Sequence, residues 1–96
     1  MIQVHILASG STGNAALFQF GPTSILIDAG ISARRIANGL KAAGSDVQAI
    51  DAILLTHEHS DHIKGVEVLA RRFHIPVYSR ARTWERLPFR DKIPGT

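Results

Sequence analysis

Hydrophobic and polar residues alternate along the first part of the chain with the period of two that is typical of β-strands. Such runs cover residues 2–7, 15–20 and 24–28, and the segments between them, ASGSTGN and GPT, are rich in turn-forming residues. Consecutive strands joined by short turns tend to pair with each other. The sequence therefore predicts an antiparallel meander of three strands.

The rest of the chain alternates helical and strand patterns. Residues 33–40 carry apolar side chains at helical spacing, and Ser32 and Gly44 are placed to begin and end that helix. Residues 53–55 form a continuous apolar run, as expected of a central strand that is buried on both faces. Three further elements are expected in the order helix, strand, helix: residues 66–73, 75–79 and 81–87.

This order, β-β-β-α-β-α-β-α, predicts an α/β (α+β) fold with a mixed sheet and flanking helices. A chain of 96 residues makes one domain at most. Its two or three short helices are too few to cover both faces of the sheet. We therefore expect half of a two-layered sandwich, with apolar sheet surface left for self-association or for a partner.

Composition excludes several classes of protein. A hydrophobic content of 45% favours a folded core over disorder, and the absence of cysteine excludes disulfides and thiolate metal sites. The N-terminal residues lack a signal-peptide pattern, and no apolar run approaches the roughly 20 residues that would span a bilayer. A soluble cytoplasmic protein is the expectation.

Charge is unevenly distributed along the chain. The first 63 residues carry three basic and five acidic side chains, whereas the last 33 carry eight basic and three acidic ones. An arginine-rich segment fits a polyanionic partner, because arginine contacts phosphate through two N–H groups at once. It fits a solvated helix face and a polar tail as well.

Candidate chemistry lies in the stretch LLTHEHSDHIKG, which holds three of the five histidines between His57 and His62. Imidazole and carboxylate are the preferred ligands of zinc and similar ions. In an extended chain, His57 and His59 point the same way and can converge on one ion. Asp61 and His62 follow where a helix should begin and can aim at a second ion, about 3.5–4 Å from the first.

The position of this cluster supports a functional interpretation, because ligands gather at the carboxyl ends of strands in open α/β sheets. Asp28 also ends a strand, and we interpret it as a carboxylate that holds a ligand histidine or the loop. A helix-entry cap is the alternative for Asp28. His5 and His74 have no ligand neighbours in sequence, so both are expected to be structural or exposed.

Other motifs are excluded by spacing. His57-Glu58 is followed by Asp61 where a zincin helix needs its second histidine, and GSTGN is neither a P-loop nor a nucleophile elbow. The remaining alternative for the cluster is a histidine-rich surface turn that binds no metal.

These residues resemble a known family. The run Thr56-His57-Glu58-His59-Ser60-Asp61-His62 is similar to the His-x-His-x-Asp-His signature of the metallo-β-lactamase fold, and Asp28 in SILIDAG matches that fold's first-motif aspartate. The segments LASGSTGNA, LIDAGIS and TWE narrow the resemblance to the YycJ-like (WalJ-like) branch of exonuclease-like metallohydrolases.

The resemblance implies an αββα sandwich of which residues 1–96 are the N-terminal portion of a single domain. It implies two divalent metal ions, with zinc the first choice and manganese or iron as alternatives. His57 and His59 would bind the first ion, and Asp61 and His62 the second; Asp61 and His62 would also be the catalytic residues, with a metal-activated hydroxide attacking phosphorus. A substrate loop of Ser9, Gly10, Ser11, Thr12, Gly13 and Asn14 would lie at the mouth of the site, where it holds a phosphate or is only a tight turn.

The chain departs from the family pattern downstream. Two histidines and a bridging aspartate should follow, yet no histidine occurs after His74. Because a catalytic zinc usually has three protein ligands, the site is incomplete, and we expect the piece alone to bind metal weakly or at one shared position and to be inactive. The intact protein is expected to hydrolyse phosphodiester bonds in nucleic acid. The alternatives are a hydrolase of a thioester, lactone or lactam, and a non-catalytic metal-binding or interaction fragment.

Overall fold

The computed structural model describes residues 2–11, 13–57 and 59–93, and within these the side chains of Ser60 and Asp61 lie outside the description. Within these ranges the sheet has five strands: β1 (Ile2–Ala8), β2 (Ala15–Phe20), β3 (Thr23–Ala29), β4 (Ala52–Leu54) and β5 (Val77–Tyr78). The α-helices are α1 (Ala33–Ala42), α2 (Ser60–Ile63), α3 (Val66–Phe73) and α4 (Ala81–Glu85), and short 3-10 turns cover Val47–Ala49 and Arg90–Lys92. None of the helices in the described ranges has the length and apolar character needed to cross a membrane.

The strands lie in the order in which they occur in the chain. β1, β2 and β3 form an antiparallel meander, and β4 and β5 add to it in parallel. The predicted meander and the predicted mixed sheet are therefore confirmed. Register shifts interrupt the β1–β2 pairing between Ile6 and Ala8 and the β2–β3 pairing between Ala15 and Ala16, both at the same edge of the sheet.

Helix α1 begins and ends as its sequence predicts. The Ser32 hydroxyl accepts a hydrogen bond from the Arg35 amide at 3.3 Å, which satisfies one of the unpaired N–H groups of the first turn. Gly44 follows the C-cap residue Ala43 and has a φ of +79°, a conformation that glycine adopts at little steric cost. Ile36 and Leu40 form the buried side of the helix.

One face of the sheet, here called the covered face, packs against α1 and α3. Its members alternate along each strand with period two, and their partners come from the helices. Sheet and helix residues in this core are almost fully buried: Leu17, Leu26, Ile53 and Val77 from the strands, and Ile36, Leu40, Val66 and Leu69 from the helices. Burial of side chains of this size contributes about 1.5–3 kcal/mol each.

The opposite face, here called the bare face, is apolar as well. It is formed by the intervening strand residues, in register across the sheet: Ile2, Val4, Ile6, Ala16, Phe18, Phe20, Thr23, Ile25, Ile27, Ala52, Leu54 and Tyr78. Several of these side chains are open to solvent, with Ile2 69% and Ile6 65% exposed. None of the residues in this set is charged.

The bare face corrects one expectation. The apolar run at residues 53–55 predicted a strand buried on both sides, but that prediction was wrong: Ile53 is fully buried while Leu54 is 38% exposed. β4 is indeed central, with parallel neighbours on both sides, but only its covered face is packed within the described residues.

Candidate metal centre

Three loops meet at one edge of the sheet. β3 and β4 are parallel and both end there, whereas β1 ends and β2 begins there because the two are antiparallel. This edge therefore carries the loop 9–14, the end of β3 with the turn 30–32, and the histidine segment that follows β4. Ligand sites of α/β sheets form at the carboxyl ends of the strands, and the topology places the candidate residues at such an edge.

Asp28 is the centre of a hydrogen-bond network at this edge. Its side chain is buried, and its backbone has a φ of +61°, which is uncommon for a residue other than glycine and is tolerated best by Asn and Asp. Its Oδ1 accepts from the Thr56 amide at 2.8 Å, and its Oδ2 accepts from the Thr56 hydroxyl at 2.6 Å. Its Oδ2 also contacts Nδ1 of His62 at 2.8 Å.

These contacts distinguish the two interpretations of Asp28. The helix that follows it is capped by Ser32, so the carboxylate is not the cap of α1. It instead joins the end of β3 to the histidine segment, 28 and 34 residues later in the chain. A buried carboxylate bonded to an imidazole nitrogen is the common partner of a metal-binding histidine, because it fixes the orientation of the ring.

The histidine segment lies beyond the end of β4 rather than within it. The sequence placed His57 and His59 at the end of an extended strand. In the structure β4 ends at Leu54, so both residues lie in the segment between β4 and α2. The chain turns into that helix through a bond from the His62 amide to the His59 carbonyl at 2.9 Å. The turn brings His62 back toward His57.

The spacing of the imidazole rings is compatible with metal binding. The ring centroids of His57 and His62 are 4.8 Å apart, and those of His57 and His59 are 6.0 Å apart. Two imidazoles that bind one tetrahedral zinc through nitrogens at 2.0–2.1 Å have centroids about 5 Å apart. His57 and His62 are thus close enough to share one ion, and the donor chemistry fits a divalent cation.

The described part of the cluster does not by itself form a metal site. Among the side chains that the structure describes, no three His, Cys, Asp or Glu groups are arranged to hold an ion. The side chain of Asp61, predicted as a ligand of the second ion, lies outside the described residues. The assignment of His57 and His59 to one ion, and of Asp61 and His62 to another, stays a prediction.

The loop 9–14 is closed by its own hydrogen bonds. The Asn14 side chain donates to the Gly10 carbonyl at 2.9 Å and accepts from the Gly10 amide at 3.2 Å, while the Gly13 amide donates to the Gly10 carbonyl at 3.3 Å. The Gly10 and Gly13 amides are therefore engaged within the loop. Ser9 and Ser11 are exposed, and Thr12 lies outside the described residues. The phosphate-holding role of this loop stays a prediction.

Two glycines allow the loops at this edge to pack closely. A Cβ on Gly13 would lie 2.4 Å from Ile31 Cγ2 and 2.8 Å from the Gly30 carbonyl oxygen. A Cβ on Gly65 would lie 2.5 Å from the Ile31 carbonyl oxygen, and the Gly65 amide donates to the Ala29 carbonyl at 2.7 Å. The turn that follows Asp28 is therefore held between the loop 9–14 and the start of α3.

Residues 8–95 match the sequence profile of the metallo-beta-lactamase superfamily. The chain belongs to this superfamily. The expected fold class, half of a metallo-beta-lactamase sandwich, is likewise confirmed by solved structures. One is a B3 metallo-beta-lactamase with an active-site glutamic acid, which superimposes with a TM-score of 0.75 at 30% identity and covers 86% of this chain and 32% of that one.

The resemblance to the YycJ-like branch is confirmed by two curated relatives. Exodeoxyribonuclease WalJ of Streptococcus pneumoniae is 44% identical over 82 residues, which are 85% of this chain and 30% of the relative. Exodeoxyribonuclease YycJ of Bacillus anthracis is 44% identical over 86 residues, which are 90% of this chain and 33% of the relative. This chain of the metallo-beta-lactamase superfamily thus spans about a third of the length of the relatives that it matches.

One residue of the network was missed by sequence reasoning. Thr56 contacts Asp28 through both its amide and its hydroxyl, and its hydroxyl lies 3.1 Å from Nδ1 of His57. The available signal was a hydroxyl directly before the first histidine. The two remaining histidines stay apart from the cluster: His74 is exposed at the end of α3, and His5 is half-buried in β1.

Proposed function

We propose that this chain provides the first ligand-bearing part of a binuclear metal-dependent hydrolase, which in the intact protein cleaves phosphodiester bonds in nucleic acid as an exonuclease. The observation that carries the proposal is the buried Asp28 carboxylate, bonded at one sheet edge to both Thr56 and His62. The names of the two exodeoxyribonuclease relatives support the choice of substrate.

In this proposal the side chains have distinct tasks. His57, His59, Asp61 and His62 would hold two divalent ions, zinc or else manganese or iron. Such ions, when bound, polarise phosphoryl oxygens and lower the pKa of a bound water. Asp28 would keep the His62 ring in one orientation, because its Oδ2 lies 2.8 Å from Nδ1.

The excess of basic side chains near the C-terminal end supports a nucleic-acid partner. The last 33 residues carry eight basic side chains, which suit a polyanion. Arg71, however, forms an exposed ion pair with Glu67 at 3.0 Å on the surface of α3. That arginine belongs to an ordinary helix surface, so the phosphate contacts would fall to other basic residues.

The 96-residue chain should bind metal weakly and have no nuclease activity. A calorimetric zinc titration should give at most one site, and His62→Ala should weaken it tenfold or more, since one of few ligands is lost. His74→Ala is the matched control and should leave the affinity unchanged, because His74 lies outside the cluster. Two tight sites, nuclease activity from this piece, or no zinc binding at millimolar concentration would contradict the proposal.

The activity of the intact protein is tested on the gene itself. Reading the coding sequence past Thr96 should show two further histidines and an aspartate at the family's ligand positions. The translated product should then shorten end-labelled DNA in the presence of divalent metal. A stop codon directly after Thr96 would favour the alternative, a non-catalytic metal-binding or interaction fragment.

A second candidate is a hydrolase of a thioester, lactone or lactam on the same fold. The structural match to a B3 metallo-beta-lactamase favours it, since that relative has 30% identity over most of this chain. The full-length product should discriminate: cleavage of a lactam or thioester with no action on DNA would establish this candidate and reject the exonuclease. The expected cytoplasmic location stays a prediction.

A further inference from the structure

Thr56 lies between a carboxylate and an imidazole, and its single proton must go to one of them. A hydroxyl has one hydrogen to donate and two lone pairs that accept. The Thr56 oxygen is 2.6 Å from Asp28 Oδ2 and 3.1 Å from His57 Nδ1. Distances of 2.5–2.7 Å are typical of a hydroxyl that donates to a charged carboxylate. The proton of Thr56 therefore points toward Asp28.

This choice fixes the role of His57. With its proton committed to Asp28, the Thr56 oxygen can only accept from the imidazole. Nδ1 of His57 must then carry a hydrogen, and in a neutral ring the lone pair is left on Nε2. A free histidine side chain in water prefers the opposite tautomer, with its hydrogen on Nε2.

The tautomer of His62 is fixed by Asp28 directly, with the hydrogen on Nδ1. Its Nδ1 lies 2.8 Å from Asp28 Oδ2, and an ionised carboxylate only accepts hydrogen bonds. The Thr56 oxygen is 3.5 Å from the same nitrogen, too far to compete with the carboxylate. Asp28 thus orients one histidine directly, and the other through the hydroxyl of Thr56.

We propose that Thr56 is a positioning residue, whose hydroxyl transmits the acceptor character of Asp28 to His57 and holds that ring in its Nδ1–H tautomer, with Nε2 presented for a metal ion. The use of the free Nε2 for a metal ion rests on the proposed metal-binding function. The tautomer itself follows from the hydrogen-bond distances alone. Asp28 bonds the His62 ring directly and the Thr56 hydroxyl, which in turn bonds the His57 ring. A single buried anion therefore orients two imidazole rings.

The tautomer can be measured without any metal. Long-range ¹H–¹⁵N correlation spectra of the chelator-treated chain at about pH 8, where histidine is ordinarily neutral, distinguish Nδ1–H from Nε2–H rings. We expect His57 and His62 to be Nδ1–H in the unsubstituted chain. Exposed His74 is the internal reference for an unconstrained ring. An Nε2–H tautomer at His57 would overturn the proposal outright.

Substitutions then separate the hydroxyl from the rest of the residue. Thr56→Val removes the hydroxyl, keeps the β-branched shape and keeps the amide that donates to Asp28 Oδ1, so His57 should revert to the Nε2–H tautomer while His62 does not. Thr56→Ser should preserve the tautomer of both rings. Thr23→Val, on β3 far from this edge, is the control. An unchanged His57 tautomer in the folded Thr56→Val variant would reject the positioning role of the Thr56 hydroxyl.

A cobalt titration followed by visible absorption adds the link to metal binding. Thr56→Val should weaken cobalt binding about 10–100-fold, as is typical when a partner of a ligand histidine is removed, and Thr56→Ser should restore it. The two proposals fail separately. Nδ1–H tautomers together with no cobalt binding would reject the metal site and leave the positioning role of Thr56 standing. Cobalt binding by a chain whose His57 is the Nε2–H tautomer would reject only the positioning role of Thr56.

Discussion

Both faces of the sheet carry large apolar side chains, but the environments of the two faces are opposite. On β4, Ile53 is fully buried beneath the helices, whereas its neighbour Leu54 is 38% exposed. On β1, which has only one neighbouring strand, Ile2, Val4 and Ile6 all lie on the bare face and are open to solvent. Apolar side chains alone therefore do not tell whether a face is covered; that depends on whether another layer is present to pack on it.

The largest expected effect compares the two adjacent residues of β4. Ile53→Ala should lower the free energy of unfolding by about 2–5 kcal/mol, because it leaves a cavity beneath α1 and α3. Leu54→Ala should cost less than about 1 kcal/mol, since much of its side chain is already in water. Urea denaturation of both variants at low micromolar concentration gives the difference. Equal losses would mean that the bare face is covered in solution.

The second effect concerns the polar anchor at the end of β3. Asp28→Ala removes the acceptor of bonds from Thr56 and His62, and we expect it to cost about 2–3 kcal/mol because the donors are left partly buried. Asp51→Ala is the matched control: Asp51 is exposed and accepts one bond, from the Ser24 amide at 2.8 Å.

Thermal or urea unfolding, read beside histidine NMR spectra, measures this second difference. Asp28→Ala should also release the His62 ring, whereas Asp51→Ala should leave it in place. A loss for Asp28→Ala no greater than that for Asp51→Ala would show that the network adds little to stability.

The third effect tests what the bare face does when nothing else covers it. We expect the chain to self-associate through this face, and Val4→Lys with Ile6→Lys should weaken association tenfold or more, because burying lysine is costly. Gln3→Lys, on the same strand but on the other face, should leave association unchanged. Sedimentation equilibrium measures all three chains. A compact monomer before any substitution would contradict the expectation.

Local sequence signals predicted the elements well. Ser32 and Gly44 marked the ends of α1, and the period-two runs marked the meander, because caps, turns and alternation depend on near neighbours. The exposure of Leu54 could not be predicted in this way. A continuous apolar run shows that a strand suits burial, but it does not show which residues, if any, lie above the second face.

The sequence identified candidate residues of the site, but it did not predict the contacts that join them. The spacing of the histidines indicated ligands, and the position of Asp28 at a strand end indicated a supporting carboxylate. The role of Thr56 depends on contacts across 28 residues of chain and on a backbone φ of +61° at Asp28, which a sequence pattern does not contain. Only the folded structure relates the hydroxyl to both neighbours.

Gly65 has a consequence for genetics. It has no side chain that could bind a metal ion, yet a Cβ there would lie 2.5 Å from the Ile31 carbonyl oxygen, in the turn that follows Asp28. Any substitution would push the start of α3 away from that turn, and α2, with His62, would move with it. In a random-mutagenesis screen of the intact protein for loss of the proposed activity, Gly65 should therefore be among the most sensitive codons, and its alleles should resemble mutants of the candidate metal centre although the residue has no side chain to contribute.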